Sequence, residues 1–357
     1  ISACEKGEQW KRALGILAEM HKNHVEADVI SYSAAISACE KGAQWEWALG
    51  ILEEMQGFGL EPNLISYNAA ISACQKGGQW ERALIILLDM QEENLEPTVI
   101  SYSAGISACQ RGEQWERALG LLAEMQRQDL QPDIICFSTA ISACEKADRW
   151  ERALEILAEM RKDGLEPGAL SYNCAISACE KGEQWKRALG ILAEMHKNHV
   201  EADVISYSAA ISACEKGAQW EWALGILEEM QGFGLEPNLI SYNAAISACQ
   251  KGGQWERALI ILLDMQEENL EPTVISYSAG ISACQRGEQW ERALGLLAEM
   301  QRQDLQPDII CFSTAISACE KADRWERALE ILAEMRKDGL EPGALSYNCA
   351  ISACEKG

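Results

Sequence analysis

The sequence has no apolar run approaching the roughly 20 residues that a membrane-spanning helix needs, so no membrane partner is expected. It contains no C-x-x-C pair, no P-loop, no G-x-S-x-G and no isolated acidic pair in a catalytic setting. The common sequence signs of a zinc ribbon, a phosphate cradle and a serine nucleophile are therefore missing, and neither an enzymatic activity nor a cofactor is expected. Histidine is scarce. His21 with His24, and His196 with His199, have a spacing that could begin a metal site, but no third ligand is close in sequence and no metal is assigned. Cations are also few: 31 Lys and Arg stand against 55 Asp and Glu, a formal net charge of −24. That balance speaks against indiscriminate binding of polyanions.

What the chain does have is repetition. Residues 176–350 duplicate residues 1–175 letter for letter, and 351–357 restart the unit. Each unit divides into copies of 35 residues marked by Trp10, Trp45, Trp80, Trp115, Trp150 and onward to Trp325. A fixed period of this length signals a repeat array and excludes one closed globular core. The array is read as a partial repeat over 1–28, nine full repeats over 29–343 and a partial repeat over 344–357. The first residue is Ile1, inside a repeat, and the chain is expected to be a fragment or a late-starting gene product.

Of the 15 cysteines, most occupy one repeat position, from Cys4, Cys39 and Cys74 to Cys354; the others are Cys136, Cys174, Cys311 and Cys349. Equivalent residues on stacked helices lie about 8–10 Å apart, beyond the roughly 7 Å limit between Cα atoms of a disulfide. The regular cysteines are expected to be small buried apolar residues of a reducing compartment.

The copy at 29–63, VISYSAAISACEKGAQWEWALGILEEMQGFGLEPN, shows the local logic. At about 100° per residue, Tyr32, Ala35, Ile36 and Cys39 form a buried stripe on a first helix, which ends at the capping residue Gly42. Trp45, Ala48, Leu49, Leu52 and Met55 form a stripe on a second helix, which Gly57, Gly59 and Pro62 end. The periodic tryptophan could be a base-stacking platform, but its place in the second stripe favours packing in the core. A loop of about three residues makes the two helices antiparallel neighbours. One hairpin cannot bury both stripes, so hairpins must stack, giving an all-α solenoid of stacked antiparallel helical hairpins with a 35-residue repeat. Acids such as Glu54, Asp89 and Glu124 are read as a solvated outer face.

The other side of the first helix is unusual. Relative to Tyr32, the residues Ile30, Ser33, Ser37 and Lys41 fall between about 100° and 180° around the wheel. An amphipathic helix would not ordinarily repeat an exposed aliphatic residue there. Yet the position holds Ile30, Ile65, Ile100, Ile135, Leu170, Ile205, Ile240, Ile275 and Ile310. A short Ser or Asn lies beside it, and a cation follows in every copy: Lys41, Lys76, Arg111, Lys146, Lys181, Lys216, Lys251, Arg286 and Lys321, with Lys6 and Lys356 in the partial copies. An apolar wedge, a hydrogen-bonding group and a cation once per hairpin suit single-stranded nucleic acid, one base and one phosphate per repeat.

The 35-residue period, the S-Y-N/S-x-x-I-S-A-C opening, the A-L-x-I/L-L-x-E-M second helix and the G-L-E-P ending resemble pentatricopeptide repeats of the pure, 35-residue class, and the likeness covers the whole chain. The resemblance implies a right-handed superhelix and sequence-specific binding of single-stranded RNA. In that family the work is usually done in mitochondria or plastids, in transcript processing, stability, editing or translation, alongside RNA-processing proteins. It also implies that the fifth and last residues of a repeat choose the base, that the aliphatic second residue sandwiches it, and that the cation approaches phosphate.

Carried along the chain, Ser33 with Asn63 resembles an adenine pair, and Asn68 with Thr98 leans to pyrimidine. Ser103 with Asp133 resembles a guanine pair, Ser138 with Gly168 a purine preference at best, and Asn173 with Asp203 a uracil pair. Ser208 with Asn238, Asn243 with Thr273, Ser278 with Asp308 and Ser313 with Gly343 restart the series. The implied target is near A-Y-G-R-U-A-Y-G-R, with a five-nucleotide period. Some members of the wider family carry a deaminase domain with H-x-E and C-x-x-C motifs; His24-Val25-Glu26 and His199-Val200-Glu201 spell H-x-E without such a partner and are read as chance. A protein-binding helical scaffold is the alternative reading, favoured by the net charge and by acids such as Glu40 beside Lys41.

Overall fold

The structure, a computed structural model, describes residues 9–356 except for the Lys356 side chain. Cys4 and Lys6 lie outside the described residues, as does the Lys356 ammonium group. The chain divides into two compact units, Ile1–Ala178 and Cys179–Gly357.

The first unit contains α1 (Trp10–Lys22), α2 (Val29–Lys41), α3 (Trp45–Gly57), α4 (Leu64–Lys76), α5 (Trp80–Glu92), α6 (Val99–Arg111), α7 (Trp115–Arg127), α8 (Ile134–Lys146), α9 (Trp150–Lys162) and the start of α10 (Ala169–Lys181). The second contains α11 (Trp185–Lys197), α12 (Val204–Lys216), α13 (Trp220–Gly232), α14 (Leu239–Lys251), α15 (Trp255–Glu267), α16 (Val274–Arg286), α17 (Trp290–Arg302), α18 (Ile309–Lys321), α19 (Trp325–Lys337) and α20 (Ala344–Lys356). Even-numbered helices open a repeat and odd-numbered helices close it. Within each unit, an even helix packs on its own odd partner and on the next even helix. Among the described residues, successive odd helices make no comparable approach. The even helices therefore form the close-packed layer of an α-solenoid, with the odd helices behind them.

The core follows the helical period. Tyr32, Ala35, Ile36 and Cys39 from α2 meet Ala48, Leu52 and Met55 from α3, all buried. Ile51, outside the stripe read from the sequence, is buried as well. A fully buried side chain such as Met55 contributes about 2 kcal/mol of transfer free energy, and the period repeats it once per hairpin. The tyrosine hydroxyls do not stay unpaired: Gln56 Nε2 donates to the Tyr67 hydroxyl at 3.3 Å, and Tyr102 donates to Glu124 at 3.0 Å. In the copy where Phe137 replaces tyrosine, Gln126 keeps the bond to Glu159, at 3.0 Å, that Gln91 makes to Glu124 at 2.9 Å. Glu124 is thus a half-buried acceptor of the joint between repeats, and Glu54 lies 3.4 Å from His21. These carboxylates do more than solvate an outer face, because a tyrosine hydroxyl at the joint needs an acceptor.

Two details correct the sequence reading. The tryptophans do not lie in the core. Trp45 and most of its equivalents are half-buried, because each opens its helix at one edge of the stack. They pack instead on the glycine that ends the next even helix: a Cβ at Gly77 would collide with Trp45, and one at Gly112 with Trp80. That close approach, and not backbone freedom, is what Gly42 and its glycine equivalents serve, although Ala147 and Ala322 hold the position in two repeats. Gly42 has φ −81°, whereas the left-handed residue is the next one, Ala43, at φ 52°. Gln44 N–H then reaches back to the Cys39 carbonyl at 2.9 Å, closing a Schellman-type end.

Candidate nucleic-acid interface

The last residue of a repeat is the N-cap of the next even helix, a role the sequence reading did not assign. Four N–H groups at a helix start lack partners within the helix, and a short polar side chain in extended backbone satisfies one of them. Asn63 Oδ1 accepts from Ser66 N–H at 3.0 Å, and Asp133 Oδ1 accepts from Cys136 N–H at 2.8 Å. Asp203 and Asn238 do the same for Ser206 and Ser241, both at 2.9 Å, and Asp308 for Cys311 at 2.8 Å. At Asp28 the Ser31 N–H and hydroxyl hold the carboxyl below its ordinary range. Thr98 and Thr273 use a variant in which the Ser101 and Ser276 hydroxyls accept from the threonine N–H, at 3.1 and 3.0 Å. Gly168 and Gly343 bring no side chain. Outside those two repeats the sequence did carry the signal, an Asp, Asn or Thr directly before the apolar helix opening.

The fifth residues sit deeper than a free reading row would. Ser33, Ser138, Asn173, Ser208 and Ser313 are buried, while Asn68, Ser103, Asn243 and Ser278 are half-buried. The physical reason is the close approach of consecutive even helices, which seats each of these groups at the seam. Ser33 Oγ donates to the Val29 carbonyl at 2.7 Å and lies 2.7 Å from Ser66 Oγ of the next helix. Ser138 repeats this with Ile134 and Ser171, at 2.6 and 2.8 Å. Asn68 Oδ1 accepts from Ser101 Oγ at 2.6 Å. Ser278 and Ser313 occupy the same seam in the second unit, where Ser313 lies 2.8 Å from Ser346.

The second residues stand clear of this seam. Ile30, Ile65, Ile100, Ile135 and Leu170 in the first unit, and Ile205, Ile240, Ile275 and Ile310 in the second, are 60–73% exposed. A lone exposed aliphatic side chain is ordinary, but one at the same place in every repeat is a row of apolar teeth beside the seam.

The cations are exposed at the far end of the even helices, and several are already engaged. Lys76 lies 2.6 Å from Glu40, Lys251 2.7 Å from Glu215 and Lys216 3.1 Å from Glu180, each carboxylate coming from the preceding repeat. Where that residue is Gln75, Gln250 or Gln285, the cation turns to backbone. Arg111 Nη1 donates to the Gln75 and Lys76 carbonyls at 3.3 Å, and Lys321 to the Gln285 carbonyl at 3.4 Å.

Other candidate chemistry is placed elsewhere. His21 Nε2 lies 3.1 Å from the Tyr32 hydroxyl, at the joint behind the even-helix layer. The described cysteines are free; Cys39, Cys74 and Cys109 are buried, and burial pushes their thiols up to about 11. Cys136 is pushed up to about 12, by burial first and then by Asp133.

Residues 50–111, 120–182, 225–286 and 295–356 match the pentatricopeptide repeat domain, and 30–60, 100–130, 205–235 and 275–305 match the single PPR repeat. The chain belongs to the pentatricopeptide repeat family. A further match to the PPR repeat family covers 167–216, and no curated protein sequence matches the chain. Among solved structures it is similar to the pentatricopeptide repeat protein PPR10 in complex with an 18-nt psaJ RNA element, at 22% identity and a TM-score of 0.73, over 99% of this chain. It is also similar to PPR10 from maize, at 24% identity and a TM-score of 0.63, again over 99% of this chain. The chain spans about half the length of those PPR10 structures, 51% in each case. At such identities the likeness speaks to the pentatricopeptide repeat fold.

Proposed function

We propose that this pentatricopeptide repeat chain binds single-stranded RNA along the even-helix layer, one base per repeat, as an adaptor in organellar RNA processing, stability, editing or translation. The observation that carries the reading is the exposed aliphatic tooth beside each polar seam. Flat bases insert between such teeth, and the polar groups between teeth meet the base edge. PPR10 was captured with an RNA element, which supports the same use of this fold.

Capping chemistry supplies a physical basis for base choice. The N-cap oxygen must face the helix N–H groups, so the rest of that side chain faces outward. Asn63 and Asn238 then offer Nδ2–H donors, which suit adenine, whose Watson–Crick ring nitrogen is an acceptor. Asp133 and Asp308 offer a second carboxylate oxygen, which suits the ring N–H of guanine. Asp203 offers the same acceptor to uracil. Thr98 and Thr273 spend their hydroxyls on Ser101 and Ser276 and specify little. The proposed target remains near A-Y-G-R-U-A-Y-G-R.

A protein-binding scaffold is the second reading, favoured by the glutamates that already neutralise Lys76, Lys216 and Lys251. Filter binding over a salt series decides between them. The expected result is preference for A-Y-G-R-U-A-Y-G-R over a scrambled RNA of equal composition, with affinity falling steeply as salt rises. Absence of RNA binding at low salt overturns the RNA reading.

A further inference from the structure

The third residue of a repeat carries no role in the base-choosing scheme above, yet in most repeats it is a fully enclosed serine of the seam. Ser66, Ser101, Ser171, Ser206, Ser241 and Ser276 have no exposed surface. We propose that Ser101 and Ser276 are positioning residues for base choice: each fixes the amide of the preceding repeat's reader, Asn68 or Asn243, so that its Nδ2–H donors face the RNA. The inference rests on the RNA-binding reading above and extends it to residues that cannot touch RNA.

The geometry is specific. Ser101 Oγ accepts from the Thr98 N–H at 3.1 Å and lies 3.2 Å from Thr98 Oγ1. Its own proton goes to Asn68 Oδ1, at 2.6 Å. The second unit shows the same arrangement: Ser276 Oγ lies 2.6 Å from Asn243 Oδ1, 3.0 Å from Thr273 N and 3.2 Å from Thr273 Oγ1. A side-chain amide has an acceptor end and a donor end of almost equal shape, so its orientation depends on its neighbours. With the acceptor end held inward, Asn68 presents two N–H donors. Uracil and cytosine share a ring carbonyl that accepts such a donor, so a fixed donor end supports the pyrimidine preference that the resemblance assigns to Asn68. Released from Ser101, the amide can turn over and present its oxygen as well.

Ser171 and Ser346 are the control built into the chain. They are equally enclosed, but they meet the hydroxyls of Ser138 and Ser313, which already donate to the Ile134 and Ile309 carbonyls. A hydroxyl has no donor end and acceptor end to exchange, so those serines have no orientation to fix. A purely structural role would make the two pairs of serines equivalent.

The experiment compares the unchanged full chain with S101A/S276A and with S171A/S346A. The probes are A-Y-G-R-U-A-Y-G-R and the same RNA with purine at both Y positions, and helicity is checked by circular dichroism. The expected result is a loss of about fivefold or more in pyrimidine-over-purine preference for S101A/S276A, the scale of one lost hydrogen bond per site. S171A/S346A keeps the preference of the unchanged chain. S101C/S276C recovers part of it, because a thiol fits this position at Cys136 and Cys311 and is a weaker donor. Without RNA, the side-chain amide NMR signals of Asn68 and Asn243 shift in S101A/S276A and stay in place in S171A/S346A. Preserved preference in S101A/S276A overturns this inference alone. An unchanged chain that binds both probes equally overturns the proposed base choice and this inference together, and one that binds neither at low salt overturns the RNA reading itself.

Discussion

Lys76 Nζ lies 2.6 Å from Glu40 Oε1, so a cation of the row proposed to meet phosphate is neutralised by the repeat before it. Both groups are partly exposed, and such a pair is worth at most about 1 kcal/mol. Glu40 is therefore a weak internal competitor for phosphate. Glu40→Gln should tighten RNA binding severalfold. It should also steepen the logarithmic salt dependence by about 0.7, the value of one added phosphate contact on a single strand. An unchanged salt slope would place Lys76 away from the RNA.

Asn63 combines capping with base choice, and two substitutions separate these roles. Asn63→Asp keeps the oxygen that accepts from Ser66 N–H, so thermal stability should change little while preference at that position moves from adenine toward guanine. Asn63→Ala removes the cap and should cost about 1 kcal/mol while abolishing discrimination there. Melting curves and binding to RNAs varied at one position read both effects.

Ile100 and Ile275 are exposed teeth and support no core. The I100Q/I275Q chain should keep its stability to within about 0.5 kcal/mol per site, as exposed substitutions usually do. Its RNA affinity should fall severalfold for every base, because a wedge carries no base information. A melting temperature lowered by many degrees would show that the row packs inside the protein.

A Cβ at Gly77 would collide with Trp45 unless the ring shifted, and the equivalent position holds nothing larger than Ala147 and Ala322. Gly77→Val should destabilise the first unit by about 1–3 kcal/mol, the usual scale of overpacking. Combining it with Trp45→Ala should recover part of that loss. A double-mutant cycle with no coupling energy would dissociate the two residues.

The thiols give a pH dependence with a definite sign. Cys39, Cys74 and Cys109 ionise near 9.0 in the open and near about 11 where they are buried. The unfolded chain therefore loses protons first as pH rises. Stability contributed by the protonated buried thiols should be intact below pH 9 and fall away between pH 9 and about 11. Denaturant midpoints across that range measure it. At neutral pH a thiol reagent should label exposed Cys354 and spare the buried thiols until the chain unfolds.

Tyr32, Ala35, Ile36, Cys39, Ala48, Leu52 and Met55 were legible as core because a helix repeats its faces every 3.6 residues, whatever it packs against. The three-residue turn after Lys41 was legible for the same local reason. Trp45 was misplaced because periodicity names a face but not a height, and a residue at the helix end can carry the face while lying at the rim. Gly42 was placed correctly for the wrong reason. Its neighbour across the joint, Trp10, comes from the preceding hairpin, and no local pattern records that approach.

By itself the sequence determined the hairpin, the need of its two apolar stripes for a stacked neighbour and the side of the helix on which Ile30, Ser33 and Lys41 fall, since these follow from covalent order and helix geometry. Only the tertiary structure decided what those polar groups are bonded to. Ser33 reaches Ser66 and Asn63, Ser101 holds Asn68 and Glu40 binds Lys76. Each of these contacts joins one even helix to the next, and their distances depend on how closely whole helices settle against one another. That settling is fixed by the packed volume of side chains from two repeats at once, which no single repeat encodes.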